Sequence, residues 1–184
     1  MSQRLVYVVG PSGAGKDSVL GWVRQHLGHM PSIHWARRTI SRPERTGDEL
    51  HEAVDLGQFL TLRNESAFAL DWQANDLYYG IRHSETTPLE RNDWVIVNGS
   101  RGHLDMARTR FPGLTVVHVS ASPDTLHKRL VARGRETLTS IEARMARNAQ
   151  LSPTVDFHVL NDGALDSAGR QMLRHLQSMH GWPG

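Results

Sequence analysis

A glycine-rich stretch near the amino terminus constrains the fold of this 184-residue chain more than any other feature. It occupies residues 10–18 and reads Gly-Pro-Ser-Gly-Ala-Gly-Lys-Asp-Ser. The apolar run Leu5–Val9 precedes it, and a helical pattern of apolar residues that begins at Val19 follows it. A Gly-x4-Gly-Lys motif binds phosphate when it lies between a strand and a helix. The alternative is a glycine-rich turn that binds no ligand.

The residue types of this loop explain how it would hold phosphate. Glycines allow the backbone to curl until several N–H groups point at one anion, and the start of the following helix adds further unpaired donors. Lys16 is expected to reach the β- and γ-phosphates of a nucleotide. The predicted ATP-binding residues are therefore Gly10, Pro11, Ser12, Gly13, Ala14, Gly15, Lys16, Asp17 and Ser18.

The residue after the motif lysine departs from the usual pattern. A Ser or Thr hydroxyl normally holds Mg²⁺ at that position, but here Asp17 follows the lysine and Ser18 comes next. Carboxylate oxygens suit Mg²⁺, either directly or through water. An acidic residue also favours the positive end of a helix without binding metal. The sequence thus predicts Mg²⁺ together with ATP, and leaves open which of the two residues holds it.

Length and composition exclude several classes of protein. A chain of this length is expected to form one domain. It lacks the run of about 18 apolar residues that spans a membrane, and it enters a strand too early for a signal peptide. The absence of cysteine removes disulfides and thiolate chemistry and fits a cytoplasmic protein. A formal charge of +2 does not indicate a nucleic-acid surface. The oligomeric state stays open, a dimer included.

Strands and helices alternate along most of the chain, which predicts an α/β fold. The predicted strands cover residues 5–9, 32–40, 94–98, 114–120 and 157–160. After the loop helix, the predicted helices cover residues 102–110, 123–133, 140–150 and 165–179. Such alternation implies a parallel sheet with helices on both faces, and phosphate ligands at the carboxyl ends of its strands.

Residues 41–90 interrupt this alternation. Pro43 and Gly47 mark a loop, Asp55 is expected to cap a short helix through Leu62, and two short strands cover residues 68–72 and 77–80. We interpret residues 41–90 as an acceptor-binding insert in a single domain. Residues 1–40 and 91–184 form the core, with a lid at about 133–150.

Two clusters of arginines are candidates for binding anions. Arg42 and Arg45 lie three apart on the loop of the insert and are able to clamp a second anion. The other cluster comprises Arg133, Arg135, Arg144 and Arg147. A loop and a helix that carry these arginines would close over ATP and neutralise the transferring phosphoryl group. A solvated arginine face on a surface helix explains the same spacing equally well.

Over nearly its whole length, the sequence resembles the guanylate kinases. The resemblance implies a P-loop NTPase fold of the nucleoside monophosphate kinase type, with a small acceptor region and a lid. Arg42 and Arg45 match the family's two phosphate-binding arginines, and Tyr79 of Tyr78-Tyr79-Gly80 takes the place of its phosphate-binding tyrosine. The further matches imply lid arginines at Arg133 and Arg144, catalytic with Lys16, and an asparagine near adenine at Asn161.

Two departures from the guanylate kinase pattern concern the guanine site. The glutamate that reads the guanine edge is replaced by Leu70, and the Ser or Thr after Tyr-Tyr-Gly is replaced by Ile81. A site that hydrogen-bonds a base discriminates strongly through those bonds. We therefore expect an acceptor that carries phosphate and lacks guanine.

A narrower resemblance fits this expectation. The segments at 10–18, 77–80 and 97–101 are similar to those of the ribose 1,5-bisphosphate phosphokinases of bacterial phosphonate catabolism, in which an Asp after the loop lysine is usual. The resemblance implies transfer of the γ-phosphoryl group of ATP to ribose 1,5-bisphosphate, giving 5-phospho-α-D-ribose 1-diphosphate and ADP. The rival interpretations are a guanylate kinase, a small-molecule kinase of the gluconate or shikimate type, and a non-catalytic guanylate-kinase-like binding module.

Other polar residues have weaker assignments. Asn98, Ser100 and Arg101 end a core strand at the ligand edge of the sheet and would hold the sugar or its second phosphate. A strand end followed by a helix cap explains them equally well. His51 stands near the place of another phosphate-contacting tyrosine of the guanylate kinases, and its alternative is a solvated loop histidine.

Overall fold

The computed structural model describes residues 4–43, 51–134, 137–150 and 153–183, and residues 147–150 by their backbone alone. The strands are β1 (Leu5–Val9), β2 (Ile33–Trp35), β3 (Arg38–Ile40), β4 (Glu52–Ala53), β5 (Phe68–Ala74), β6 (Leu77–Arg82), β7 (Trp94–Asn98), β8 (Thr115–Ser120) and β9 (Phe157–Leu160). The α-helices are α1 (Lys16–Leu27), α2 (Leu56–Asn64), α3 (His83–Thr86), α4 (Leu104–Arg110), α5 (Pro123–Ala132), α6 (Leu138–Gln150) and α7 (Leu165–Gln177). Short 3₁₀ helices cover Thr87–Arg91 and Arg101–His103.

A five-stranded parallel sheet has the strand order β2-β7-β1-β8-β9. In β2 and β7, Ile33 lies opposite Trp94, and in β8 and β9, Val117 lies opposite Phe157. All five residues of β1 and of β7 are buried. Continuous apolar strands of this kind are typical of a parallel sheet that is covered on both faces. The predicted α/β fold is confirmed.

A second sheet has the order β4-β3-β6-β5. Strand β3 pairs with β4 in parallel and with β6 antiparallel, and β5 and β6 form an antiparallel pair. Here the prediction of one strand over residues 32–40 is wrong, because β2 belongs to the first sheet and β3 to the second. The apolar pattern runs through both strands, and a pattern carries no information on which partner each half will pair with.

The described residues fall into two compact units. The first unit takes in those at positions 1–7, 30–98 and 103–115, and the second those at positions 8–29, 99–102 and 116–184. The grouping of residues into one domain with an insert stays a prediction.

The first unit contains the second sheet and the helix that the sequence predicts at residue 55. The Asp55 carboxylate accepts a hydrogen bond from the Gln58 amide at 2.7 Å, and the Gln58 side chain accepts one from the Asp55 amide. This capping box confirms the predicted start of α2. The buried ring of Phe59 then stacks on Phe68 with 4.7 Å between centroids, which attaches the helix to β5.

The second unit is organised around the loop between β1 and α1. Helix α1 packs against α7, where an added Cβ at Gly169 would collide with the Trp22 ring. This close approach requires glycine. Ser122 caps α5, since its hydroxyl accepts from the Thr125 amide. In the described part of the chain, no helix combines the length and the apolar character needed to cross a bilayer.

Candidate active site

The glycine loop lies entirely in the second unit, between the end of β1 and the first turn of α1. Its glycines hold conformations and contacts that other residues do not tolerate. Gly13 and Gly15 have φ values of 92° and 77°, in the left-handed region that favours glycine. An added Cβ at Gly10 would collide with the backbone oxygen of Val119 on β8. The loop therefore has the backbone geometry that presents N–H groups to an anion at the start of a helix.

Side chains from distant parts of the chain contact backbone carbonyls of the glycine loop. Asn161, which follows β9 and is 4% exposed, donates from Nδ2 to the Ala14 carbonyl at 2.7 Å. Arg129 on α5 lies with Nη1 3.4 Å from the carbonyls of Gly13 and Ala14. Arg129 was not predicted, although it lies four residues before Arg133 on a predicted helix and hence on the same helix face.

A cavity of about 370 Å³ lies beside the loop. Its lining includes Gly13, Gly15, Ser18, Arg129, Arg133 and Asn161. Leu165 adds an apolar wall, and Arg133 stands at the C-cap of α5. The Oδ1 atom of Asn161 is buried and has no hydrogen-bonding partner among the described residues. The cavity thus combines an apolar wall, a cationic rim and one buried acceptor.

Two further cations lie along the same loop. The Lys16 ammonium is 3.4 Å from the Asp17 carboxylate, and its side chain is only 13% exposed, against 57% for Asp17. Arg144 on α6 donates from Nη1 to the Ser12 hydroxyl at 2.9 Å. The structure therefore brings two of the predicted catalytic cations, Lys16 and Arg144, to the loop. Arg135 and the side chain of Arg147 lie outside the described residues.

The residues predicted to bind Mg²⁺ begin helix α1. Asp17 and Ser18 are both exposed in its first turn, and Ser18 lines the cavity. A carboxylate and a hydroxyl are hard oxygen donors that suit Mg²⁺, which is usually held by one or two carboxylates and by the phosphates of a substrate. No group of three His, Cys, Asp or Glu residues able to hold a metal occurs within the described ranges. This donor set fits magnesium bound together with a nucleotide.

The first unit contains the residues predicted to bind the acceptor. The ring of Tyr79 stacks on Trp72 with 5.6 Å between centroids and an angle of 4°. The Arg38 guanidinium carbon lies 5.7 Å from the centroid of the Tyr79 ring. Leu70 and Ile81 are 6% and 0% exposed. Aliphatic side chains therefore fill the two positions that carry guanine-reading residues in the guanylate kinase pattern.

The other predicted acceptor residues have different surroundings. Arg42 is half-buried just after β3, while Arg45 lies outside the described residues. His51 is 1% exposed, so its interpretation as a solvated loop histidine is wrong. Asn98 ends β7 and is 3% exposed. Burial lowers the pKa of the Arg101 guanidinium, which begins a 3₁₀ helix in the second unit.

Arg38 and Trp72 lie beside Tyr79 and were not predicted as site residues. Both are buried, at 9% and 4% exposure. The signal for Trp72 was available, because the alternation of residues 68–82 places it and Tyr79 on one face of a hairpin. Arg38 had no such signal, since a single arginine in an apolar strand does not by itself indicate a ligand.

Comparisons with known proteins point to one family. No family model matches the chain. The chain is 42% identical to the ribose 1,5-bisphosphate phosphokinase PhnN of Pseudomonas paraeruginosa, over 96% of both chains. It is 41% identical to the protein of that name from Agrobacterium fabrum, over 96% of this chain and 98% of that protein. A 44% identical protein of that name from Laribacter hongkongensis is longer, and this chain spans 43% of it.

A solved structure supports the fold. The crystal structure of guanylate kinase from Anaplasma phagocytophilum matches with a TM-score of 0.64, over 96% of this chain and 87% of that one. The sequence identity is 15%, so this likeness concerns the fold alone.

Proposed function

The chain belongs to the family of the ribose 1,5-bisphosphate phosphokinases, and on this premise we propose that it phosphorylates ribose 1,5-bisphosphate with ATP. The products are ADP and 5-phospho-α-D-ribose 1-diphosphate. The reaction belongs to phosphonate catabolism, and a cytoplasmic location, where ATP is supplied, is part of the proposal.

One observation favours this acceptor over GMP. Leu70 and Ile81 are buried on the face of the second sheet that also carries Tyr79. A base edge placed there would lose its hydrogen bonds to water and gain none, which costs on the order of 1–3 kcal/mol for each group left unpaired. A sugar bisphosphate has no nucleobase, so its binding leaves no base edge without hydrogen bonds.

The cavity beside the glycine loop and the loop itself offer groups suited to the adenine, the phosphates and the metal ion of Mg²⁺–ATP. The Oδ1 atom of Asn161 is a buried acceptor suited to the amino group of adenine, and the apolar surface of Leu165 is suited to its ring. The loop N–H groups and Lys16 would hold the phosphates. Asp17 and Ser18 would hold Mg²⁺, which when bound neutralises charge on the β- and γ-phosphates.

The chemistry needs positioning more than a base. An oxygen of the acceptor's 1-phosphate, already ionised at neutral pH, attacks the γ-phosphorus, and the bond from that phosphorus to the β-phosphate oxygen breaks. Catalysis then consists of alignment and charge neutralisation. Arg133 and Arg144 would neutralise the transferring group. Arg42, Arg45 and Tyr79 would bind the 1-phosphate, and Asn98 and Arg101 would contact the sugar.

The test is ADP release from ATP and Mg²⁺ with two acceptors in parallel, ribose 1,5-bisphosphate and GMP. We expect turnover with the sugar bisphosphate alone, and a product that supports a phosphoribosyltransferase. Turnover with GMP alone would establish the guanylate kinase alternative. Failure to bind ATP at millimolar concentration would favour the non-catalytic binding module.

A further inference from the structure

A row of three directly opposed residues runs over three neighbouring strands of the second sheet. Leu70 on β5 lies opposite Ile81 on β6, which in turn lies opposite Arg38 on β3. Directly opposed residues on neighbouring strands point to the same face of a sheet. Arg38 therefore shares its face with the two aliphatic residues, and a cation ends an otherwise apolar row.

The same face carries the tyrosine assigned to the acceptor phosphate. Tyr79 lies two residues before Ile81 on β6, opposite Ile40 on one side and Trp72 on the other. The guanidinium carbon of Arg38 lies 5.7 Å from the centre of the Tyr79 ring. The rings of Tyr79 and Trp72 are stacked, and Arg38 lies beside the Tyr79 ring.

Arg38 is 9% exposed, so its charge is largely removed from water. The planar fork of its guanidinium matches the oxygens of a phosphate. Its neighbour Arg37 is exposed, and the backbone amide of Arg37 donates to the Glu85 carboxylate at 2.9 Å. Of these two adjacent arginines, only Arg38 belongs to the face with Tyr79.

We propose that Arg38 is a specificity-determining residue that binds the 5-phosphate of the sugar bisphosphate. This inference rests on the proposed function. The acceptor carries two phosphates joined by a ribose, so it needs two cationic positions. Arg42 supplies the first, at the 1-phosphate. Arg38 precedes it by four residues, which is at most about 14 Å of chain, and two long arginine side chains are able to enclose a small bisphosphate across that span.

The experiment compares Arg38→Met with the matched control Arg37→Met. Methionine keeps an unbranched chain and removes the charge. We expect Arg38→Met to lower kcat/KM for ribose 1,5-bisphosphate by about 10- to 100-fold, the range of a lost charge-assisted hydrogen bond. The loss should lie in KM for the sugar, while KM for ATP stays within twofold. Arg37→Met should match the wild type.

Two monophosphates assign the effect to one end of the sugar. Ribose 5-phosphate and ribose 1-phosphate are used as competitive inhibitors against the bisphosphate. We expect Arg38→Met to raise Ki for ribose 5-phosphate by about 10- to 100-fold and to leave Ki for ribose 1-phosphate unchanged. Arg38→Lys, which keeps the charge, should recover part of the loss and guards against an effect of misfolding.

Several results would overturn the role of Arg38. Equal losses for both monophosphates would mean that Arg38 only maintains the shape of the site. An unchanged Arg38→Met, or a wild type that ribose 5-phosphate does not inhibit, would mean that no 5-phosphate contact exists. The wild-type rate is a separate readout, because no turnover with the bisphosphate refutes the proposed function, whereas turnover with an unchanged variant refutes only the role of Arg38.

Discussion

The Arg144 guanidinium donates a hydrogen bond to the Ser12 hydroxyl at 2.9 Å, across 132 positions of the sequence. The bond joins helix α6 to the phosphate loop within one unit. It places a fixed positive charge beside the residues that would surround the phosphates of ATP. A charge held in advance near the transferring group stabilises the transition state without reorganisation.

Replacing Arg144 should therefore slow chemistry more than binding. We expect Arg144→Ala to lower kcat by about 100-fold or more while KM for ATP changes little. Steady-state ADP release measures both constants. Arg174→Ala removes an exposed arginine of α7 and should retain wild-type rates. A large rise in KM with an unchanged kcat would mean that Arg144 holds ATP in the ground state only.

Lys16 offers a second test with a matched control. The chain has only one other lysine, Lys128, which is exposed on α5. We expect Lys16→Ala to abolish turnover, because the β- and γ-phosphates lose their mobile cation, and to leave the circular dichroism spectrum unchanged. Lys128→Ala should be fully active. Retained activity in Lys16→Ala would contradict the assignment of the nucleotide site.

The absence of guanine-reading side chains at Leu70 and Ile81 can be tested by substituting both residues. Leu70→Glu combined with Ile81→Ser restores the side-chain types that read guanine in the guanylate kinases. We expect the double variant to release ADP with GMP as acceptor, since hydrogen-bonding groups then meet the base edge. A folded double variant that is inactive with GMP would show that these two positions alone do not account for the missing guanine site.

The histidine pair on β8 and β9 predicts a pH dependence of stability. The Nδ1 atom of His118 lies 3.3 Å from Nε2 of His158. Burial, followed by the nearby His158 and Arg101, lowers the pKa of His118 to about 4. Unfolded, this histidine binds a proton near pH 6.5. The unfolded state thus holds more protons between these values, and the free energy of unfolding must decrease as pH falls from about 6.5 toward about 4.

Urea denaturation at pH 7.5 and pH 5 measures this loss. His118→Asn removes the titrating group, so the difference in unfolding free energy between the two pH values should shrink. Replacing the exposed His29 by Asn should leave that difference as in the wild type. An equal pH dependence in wild type and His118→Asn would place the titration elsewhere.

The sequence predicted structure correctly where the interacting residues lie within one short segment. The phosphate loop was predictable because its glycines, its lysine and the flanking strand and helix are contiguous. The capping box at Asp55 was predictable because its partner is three residues away. The division of residues 32–40 between two sheets was not predictable, because the paired residues in β6 and β7 lie far along the chain, as Ile81 does from Arg38 and Trp94 from Ile33.

The same distinction applies to the site. Arg38 and Arg129 contact residues far along the chain, and neither contact can be read from the residues next to these arginines. Arg38 meets Tyr79, and Arg129 meets the carbonyls of Gly13 and Ala14, only after the sheets have formed. The strand register and the interatomic distances of the structure revealed these contacts. The roles of the remaining predicted site residues stay predictions for the experiments above.

The bond from Asn161 to the Ala14 carbonyl also bears on how the protein folds. These residues are 147 positions apart, so the loop acquires this partner only after the last strand of the sheet has docked. Contacts of such long sequence separation form late and slow the folding of a domain. In a refolding experiment, we expect capture of a fluorescent ATP analogue to lag behind helix formation and to coincide with docking of β9. Nucleotide binding would then report when the last step of folding is complete.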